Sequence, residues 1–318
     1  MSTAGRVLSV QSHVVHGYVG NKSAVFPMQL LGLEVDPVNS VQFSNHTGYP
    51  GGFAGERLSG EQLDALVAGL EKNGLLSGYT HLLTGYIGSV SFLRQVLELV
   101  GKLRLANPGL VFVCDPVMGD EGKLYVPEEL VQVYRDEVVA LATVLTPNQF
   151  EAELLSAQPI TSLETAAAAC DTLHARGPRI ILLTSSSCGE AEDHLTVMVS
   201  AVPVAASEGG NSTAAASRHQ ILVPKLAEHF TGTGDLIASL FLAWHHREPA
   251  QPAHLAAEKA VATVQGVLRR TLARRDRVAA AAASGGAEVA TAVALELDLI
   301  GSKPVIEDPV VVCRAAPI

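Results

Sequence analysis

Residues 179–184 read Arg-Ile-Ile-Leu-Leu-Thr, with four consecutive apolar residues at positions 180–183. A short strand that is apolar on both of its alternating faces is typical of a parallel sheet buried between two layers of helices. On either side of this stretch, similar short apolar runs alternate with longer segments of helical periodicity. The alternation predicts an α/β fold in which a central, mostly parallel β-sheet is covered by helices on both faces.

The same patterns give the individual elements. Strands are predicted over residues 6–11, 33–40, 80–84, 110–114, 142–145 and 179–184, with another near 195–202. Helices are predicted over residues 21–32, 60–73, 90–106, 148–156, 163–176, 235–247 and 254–273. Because ligands of such folds bind at the carboxyl ends of the strands, the polar residues that follow each strand are the candidates for chemistry.

The pattern indicates one domain over residues 1–318. Two stretches, 205–217 and 279–290, consist mainly of small residues. Small residues lack the apolar bulk that a packed core requires, so we interpret both stretches as surface insertions or disordered loops.

Composition and charge exclude several classes of protein. Hydrophobic residues make up 48% and charged residues 17%, which is ample for a large core and excludes wholesale disorder. The formal net charge is −10, whereas binding to nucleic acid requires clustered Lys and Arg, so a nucleic-acid-binding protein is disfavoured. The sequence has neither a bilayer-spanning apolar run nor the features of a signal peptide, so we expect a cytoplasmic protein without membrane or nucleic-acid partners.

The strongest local signal lies at residues 231–235, Thr-Gly-Thr-Gly-Asp, which precede an apolar run that predicts a buried helix. A glycine-rich turn at a helix start directs several backbone N–H groups to one point, where the helix dipole favours an anion. Asp235 lies at the same corner and could accept a proton from an alcohol. Asp is also a common helix N-cap, and the motif alone does not separate the two roles.

A second signal is the stretch 146–151, Thr-Pro-Asn-Gln-Phe-Glu, which follows a predicted strand. Asn148 and Glu151 are three residues apart and therefore share one helical face. At a strand end, such a pair can hold a metal-bound water and phosphate oxygens. The same spacing suits a helix-capping interaction, so both interpretations stay open.

A third signal is a pair of carboxylates: Asp115 ends an apolar strand and Asp120 follows a glycine. Mg²⁺ prefers oxygen ligands, so this pair suits a magnesium site. A turn built from Asp, Pro and Gly also forms without a metal, and that interpretation stays open too.

Taken together, the GxGD at 232–235 and the upstream NxxE at 148–151 resemble the signature of the ribokinase-like kinases. Longer runs make the sequence similar to the pyridoxal kinase family in particular: residues 8–14, 17–21, 38–49 and 146–155. The similarity extends to shorter stretches at 84–86, 125–128, 184–186 and 306–309.

The resemblance implies ATP-dependent phosphorylation of the 5′-hydroxymethyl group of pyridoxal, and of pyridoxine and pyridoxamine. It implies that Asp235 is the base and that the amides of Gly232, Thr233 and Gly234 form the anion hole. The implied pyridoxal pocket comprises Ser12, Val41, His46, Thr47 and Tyr86.

The resemblance also implies sites for the nucleotide and two cations. Mg²⁺ or another divalent cation and the triphosphate would involve Asp115, Asn148 and Glu151, whereas a monovalent cation (K⁺ or Na⁺) would lie among Asp120, Thr146 and Thr184. Further contacts to ATP are implied for Thr184, Ser185 and Thr233, for Tyr125 in a lid, and for Leu226 and Ala227 beside the adenine. Family members are usually homodimers, so a homodimer is expected.

Three alternatives compete with this interpretation. A hydroxymethylpyrimidine kinase would share the fold and the GxGD motif, although the run Ser44-Asn45-His46-Thr47-Gly48 favours pyridoxal. A non-catalytic vitamin-binding relative is disfavoured by the intact corner at 232–235. A nicotinamide-dependent dehydrogenase is disfavoured because no GxGxxG follows the first strand.

Overall fold

The computed structural model describes residues 5–188, 193–203, 216–283 and 291–318. Within these ranges the strands are β1 (Arg6–Val14), β2 (Glu34–Phe43), β3 (Gly55–Arg57), β4 (His81–Thr84), β5 (Val111–Cys114), β6 (Gly119–Asp120), β7 (Lys123–Leu124), β8 (Val144–Leu145), β9 (Ile180–Ser186), β10 (His194–Ala201), β11 (Ser217–Pro224) and β12 (Ala315–Pro317).

The α-helices of the described ranges are α1 (Asn21–Leu30), α2 (Gly60–Lys72), α3 (Val90–Ala106), α4 (Glu128–Val133), α5 (Val139–Leu141), α6 (Gln149–Ser156), α7 (Leu163–His174), α8 (Thr233–Arg247), α9 (Ala253–Ala283), α10 (Thr291–Ala294) and α11 (Lys303–Glu307). A 3₁₀ turn covers Leu76–Gly78, and a π-helical turn, Tyr134–Val138, joins α4 to α5. No helix of the described part of the chain is both long enough and apolar enough to cross a membrane.

The described strands form a ten-stranded sheet in the order β12-β11-β10-β9-β8-β5-β4-β1-β2-β3, and β6 pairs separately with β7. The central strands from β9 to β2 run parallel, whereas β10, β11 and β12 at one edge and β3 at the other pair antiparallel to their neighbours. Parallel neighbours require crossover connections, which here are helices such as α3 between β4 and β5. The predicted α/β fold is therefore confirmed.

The stretch 179–184 behaves as its apolar character predicts. Ile181 and Leu183 face a core built with α3 and α7, whereas Leu182 faces a second core built with α1, α8 and α9. All three side chains are essentially inaccessible to solvent. Full burial of an aliphatic side chain stabilises a fold by about 1.5–3 kcal/mol, so this strand holds both helix layers to the sheet.

Every predicted strand and helix is present, but several elements were predicted only in part or not at all, among them the short strands β3, β6 and β7 and the short helices α10 and α11. The segment 142–145 forms a strand only at Val144–Leu145. Strands β11 and β12 were missed, because β11 begins with the polar residues 217–220 and β12 has only three residues at the sheet edge. The turns from α4 to α5 were also missed.

The two small-residue stretches were predicted to be loops. Residues 279–283 instead continue helix α9, because alanine has the highest helix propensity even where it buries little surface. Ser217 begins strand β11. The remainder of both stretches, 205–215 and 284–290, lies outside the described residues, as does the start of the chain at 1–4.

Candidate active site

Helix α8 begins at a glycine turn that leaves its first amides open. Gly232 occupies the N-cap position with φ 86°, and it provides no side-chain cap. A Cβ atom at Gly232 would overlap the carbonyl oxygen of Tyr18, so both conformation and space demand glycine there. The N–H groups of residues 233–235 have no partner within the helix, and the positive end of the helix dipole lies among them. This corner can therefore bind an anion.

Asp235 lies in the first turn of α8 and is partly buried. Its Oδ2 accepts a hydrogen bond of 2.7 Å from the amide of Gly20. Burial raises the pKa of Asp235 to about 6, and the Gly20 amide opposes that rise. A carboxylate with a pKa near neutral can take up a proton during a reaction and release it afterwards.

Asp115 lies beside the glycine corner at the end of β5. A Cβ atom at Gly234 would stand 3.6 Å from Asp115 Oδ2. Burial raises the pKa of Asp115 well above its usual range, and the neighbouring charges of Glu151 and Asp235 act in the same direction. Three carboxylates near one another in a buried setting repel each other unless a cation lies close by.

The chemistry of this position fits an oxygen-seeking cation. Asp115 Oδ2 and Thr146 Oγ1 are buried and have no well-formed hydrogen bond in the described residues, although Thr146 lies close enough to Asp115 to lower the pKa of that carboxyl against the effect of burial. Unpaired buried oxygens are costly unless a ligand satisfies them, and Mg²⁺ prefers such oxygens. No three His, Cys, Asp or Glu side chains of the described ranges are grouped so that they could hold a metal by themselves.

Asn148 and Glu151 form a complete capping box at the start of α6. Asn148 Oδ1 accepts from the Glu151 amide, and Glu151 Oε2 accepts from the Asn148 amide, both at 2.9 Å. Glu151 Oε1 accepts from the Met118 amide at 2.9 Å, and Asn148 Nδ2 donates to the Gly119 carbonyl at 2.8 Å. Burial raises the pKa of Glu151 to about 7 against the effect of these amides. The pair fixes the turn that follows Asp115.

The three residues predicted around a monovalent cation lie on neighbouring segments. Thr184, at the end of β9, donates from its amide and its hydroxyl to the Pro147 carbonyl at 2.9 and 3.3 Å, which places it beside Thr146. Asp120 lies in the β6–β7 hairpin, where its carboxylate accepts from the Glu121 amide at 2.9 Å. The charge of Asp120 contributes to the raised pKa of Glu151, so this hairpin lies near the capping box.

Ser12, Val41 and Tyr86 meet at the carboxyl ends of three strands. A register shift between Gln11 and Ser12 sets Ser12 opposite Val41 on the neighbouring strand β2. Val41 belongs to a small buried cluster against which the Tyr86 ring packs. A Cβ atom at Gly20 would overlap Ser12, so this group also touches the loop that donates to Asp235. The three predicted pocket residues are therefore brought together.

His46 and Thr47 lie on a flap, residues 44–52, that follows β2. Thr47 is exposed, whereas His46 is largely shielded, and burial is the main reason that the pKa of His46 is lowered. His46 Nε2 lies 3.4 Å from Glu296 Oε1. A Cβ atom at Gly48 would stand 3.9 Å from the hydroxyl of Thr231, so the flap approaches the glycine corner.

Comparison with known proteins gives one consistent result. The family described as phosphomethylpyrimidine kinase matches residues 79–279. The pyridoxal kinase of Arabidopsis thaliana is 52% identical over 99% of this chain and 95% of its own length. The human pyridoxal kinase is 44% identical over 98% of this chain and 97% of its own length.

The chain belongs to the pyridoxal kinase family.

A solved pyridoxal kinase from Leishmania donovani, in complex with ADP and pyridoxamine, superposes with a TM-score of 0.85 at 36% identity, covering 98% of this chain and 99% of that one. The ribokinase-like fold expected from the motifs is thereby confirmed. A second structure of the Leishmania pyridoxal kinase, with ADP and pyridoxine, has the same TM-score and identity over the same share of both chains.

The remaining predicted residues of this pyridoxal kinase family member lie towards the surface. Tyr125 follows β7 and is 55% exposed, and its amide donates to the Met118 carbonyl at 2.8 Å. Leu226 packs in part against the core, whereas Ala227 is exposed. Ser185 follows Thr184 on β9 and is partly buried.

Sequence reasoning missed Gly20 and Glu296, which both touch the site. Gly20 donates to Asp235, and Glu296 contacts the flap. Gly20 lies in one of the runs shared with the family. Its hydrogen-bond partner Asp235 lies 215 residues later in the sequence, so no local pattern could predict the contact. Glu296 gave one weak signal, an acidic residue between Leu295 and Leu297.

Proposed function

We propose that this chain transfers the γ-phosphoryl group of ATP to the 5′-hydroxymethyl group of pyridoxal, and that it also accepts pyridoxine and pyridoxamine. The observation that carries the proposal is the uncapped start of α8 beside Asp235. Open amides there can hold a transferring phosphoryl group while the carboxylate receives the proton of the alcohol.

In the proposed reaction the alcohol oxygen forms a bond to the γ-phosphorus as the bond from that phosphorus to the β–γ bridging oxygen breaks. The hydroxyl proton passes to Asp235, and ADP leaves. The amides of Gly232, Thr233 and Gly234 bear part of the charge that spreads over the γ-phosphoryl oxygens. Positioning and charge neutralisation supply most of the rate enhancement in such transfers.

We assign the divalent cation and triphosphate to the side of the corner occupied by Asp115, Asn148 and Glu151, and the monovalent cation to Asp120, Thr146 and Thr184. When bound, a divalent cation neutralises the phosphate charge that Asp115 would otherwise repel. The buried oxygens of Asp115 and Thr146 support this assignment, because neither makes a well-formed hydrogen bond in the described residues and a cation would satisfy both. The Glu151 oxygens already accept hydrogen bonds from the amides of Met118 and Asn148. We therefore propose that Glu151 stabilises the turn after Asp115.

The assignment of the organic ligands follows the same geometry. Ser12, Val41, His46, Thr47 and Tyr86 are proposed to surround the pyridoxal ring. Tyr125, Thr184, Ser185, Leu226, Ala227 and Thr233 are proposed to contact ATP. The complex of the Leishmania donovani relative with ADP and pyridoxamine supports the two ligand types.

The decisive experiment measures pyridoxal 5′-phosphate formed from pyridoxal and MgATP, with and without added K⁺, and with Mg²⁺ removed by a chelator. We expect product in the complete mixture, loss of product without Mg²⁺, and a lower rate without a monovalent ion. Absence of product in the complete mixture, from a protein with a cooperative unfolding transition, would refute the proposed function.

A second candidate, phosphorylation of a hydroxymethylpyrimidine, is favoured by the family description that matches residues 79–279. Both alcohols are small heteroaromatic methanols, so the same corner could serve either. Competition between the two substrates separates the candidates, and we expect kcat/KM to favour pyridoxal because the curated relatives of high identity are pyridoxal kinases.

We also propose a single kinase domain over residues 1–318, a homodimeric assembly and a cytoplasmic location. The continuous sheet from β3 to β12 supports the single domain, because its strands come from both ends of the chain. Light scattering on the purified protein tests the dimer, and one cooperative unfolding transition tests the domain.

A further inference from the structure

The Glu296 carboxylate joins two loops at the edge of the proposed substrate pocket. Its Oε2 accepts a hydrogen bond of 2.8 Å from the amide of Tyr18. Its Oε1 accepts a hydrogen bond of 2.8 Å from the Tyr49 hydroxyl and lies 3.4 Å from His46 Nε2. Both oxygens are thus occupied by groups that lie more than 240 residues earlier in the chain.

The surroundings leave Glu296 little freedom. Its side chain is 7% exposed. A Cβ atom at Gly17 would overlap the carboxylate, and Gly17 has φ 94°, so this close approach requires glycine. The Arg274 guanidinium on helix α9 donates to the carbonyl oxygens of Glu296 and Ala294, which holds the backbone of this segment. A buried carboxylate held in this way fixes whatever donates to it.

The two loops that Glu296 joins both reach the glycine corner. From Tyr18 the chain continues to Gly20, whose amide donates to Asp235, and the Tyr18 carbonyl packs against Gly232. From Tyr49 and His46 the flap approaches Thr231. The position of the flap and the position of the Asp235 donor are therefore linked through one carboxylate.

We propose that Glu296 is a positioning residue. It holds the 44–52 flap over the substrate pocket at a fixed position relative to the Tyr18–Gly20 loop, which orients Asp235. This inference rests on the proposed function for its kinetic readout only. Glu296 acts through His46, Tyr49 and Tyr18, so its loss should weaken capture of the alcohol substrate more than that of ATP.

The test compares Glu296→Gln, Glu296→Ala and Tyr49→Phe with wild type. The matched control is Glu307→Gln, which neutralises an exposed carboxylate of the same C-terminal segment that lies 3.9 Å from Lys303. We expect Glu296→Gln to raise KM for pyridoxal about tenfold, the change that weakening a charged hydrogen bond produces, with KM for ATP within twofold of wild type. Glu307→Gln should match wild type.

Two further measurements separate this positioning role of Glu296, called the latch below, from a general structural role. In a double-mutant cycle, Tyr49→Phe and Glu296→Gln should be non-additive in KM for pyridoxal, because the first removes and the second weakens the same Tyr49–Glu296 contact. Hydrogen exchange of the full chain should become faster at amides 44–52 and 17–18 in both Glu296 variants, with α7 unchanged.

The outcomes distinguish this inference from the proposed function. If wild type makes no pyridoxal 5′-phosphate, the proposed function fails. The positioning role of Glu296 is then tested by hydrogen exchange at amides 44–52 and 17–18 alone. If wild type is active but Glu296→Gln changes neither KM for pyridoxal nor exchange in the flap, the latch is overturned. Equal increases in both KM values, with faster exchange across all helices, would also overturn it, because they indicate general destabilisation. Should Glu296→Ala fail to fold, the isosteric Gln variant still decides the question.

Discussion

Helices α6 and α8 both begin at the edge of the sheet where the parallel strands end, and both have an acidic residue in the first turn. At α6 the side chains of Asn148 and Glu151 accept hydrogen bonds from each other's backbone amides. At α8 the cap is Gly232, which has no side chain, and Asp235 accepts from Gly20 instead. A capping box occupies two of the amides at its helix start with its own side chains, whereas the start of α8 has no side-chain cap and leaves its first amides to a ligand.

The similar sequence motifs at the starts of α6 and α8 therefore have different roles. The α8 start is suited to chemistry because its amides and carboxylate are available. The α6 start is suited to scaffolding because its side chains hold the Met118–Gly119 turn next to Asp115. Variants of the first should therefore change turnover, and variants of the second should first change stability.

The largest expected effect is loss of turnover in Asp235→Ala. Removing a general base typically costs 10²- to 10⁴-fold in rate, so we expect kcat to fall by about that factor while the dissociation constant for ATP stays close to wild type. Steady-state kinetics and nucleotide titration measure the two quantities. Asp136→Asn, which alters an exposed carboxylate, is the control. A kcat near that of wild type in Asp235→Ala would contradict the assignment of the chemistry to the α8 start.

The next effect is on stability, in Asn148→Ala. This change removes the acceptor for the Glu151 amide and the donor to the Gly119 carbonyl, so we expect a loss of about 1–2 kcal/mol in the free energy of unfolding. Ser162→Ala removes the cap of α7, which also forms a capping box, and serves as the matched control. Urea denaturation should show similar losses in both variants, with reduced activity in Asn148→Ala alone. Unchanged stability in Asn148→Ala would contradict a scaffolding role.

The pH dependence sharpens the assignment of the base. Burial raises the pKa of Asp235 to about 6, and a base must be deprotonated to act, so kcat/KM for pyridoxal should rise with pH and level off above that value. Below pH 6 we expect a fall of about tenfold per pH unit. A profile measured between pH 5 and 8 tests this. The control is a titration of free pyridoxal, which shows whether the substrate itself changes its ionisation over the same range. A rate that does not fall between pH 6 and pH 5 would contradict the assignment of Asp235 as the base.

The smallest effect distinguishes the two glycines of the corner. A Cβ atom at Gly234 makes only an ordinary contact, whereas one at Gly232 overlaps Tyr18. Gly234→Ala should therefore leave the urea midpoint unchanged but lower kcat/KM for MgATP about fivefold, which corresponds to about 1 kcal/mol, because the methyl group faces Asp115. Gly232→Ala should lose stability as well, since its positive φ disfavours alanine. Equal stability losses in both variants would contradict this distinction.

Most of the fold could be predicted because apolar periodicity is a local property. Strand β9 is apolar at successive positions and lies between two cores, as its sequence predicts. Strand β12 could not be predicted, because three residues at a sheet edge become a strand only through pairing with β11. Residues 279–283 were assigned to a loop because they lack bulk, yet alanine propensity is enough to extend α9.

The candidate site was predictable in its residue types but not in its contacts. The glycine turn and Asp235 stand out in the sequence because glycines at a helix start let a ligand approach the backbone, although the motif alone does not separate a base from an N-cap. The sequence by itself determined the α/β fold, the glycine turn at the start of α8 and the candidate carboxylates, since each depends on neighbours within a few residues. Only the tertiary structure decided that Asn148 and Glu151 cap their own helix, that Gly20 donates to Asp235, and that Glu296 joins the flap to the Tyr18 loop. Those contacts depend on which distant segments the packed sheet brings within hydrogen-bonding distance, and no local pattern encodes that distance.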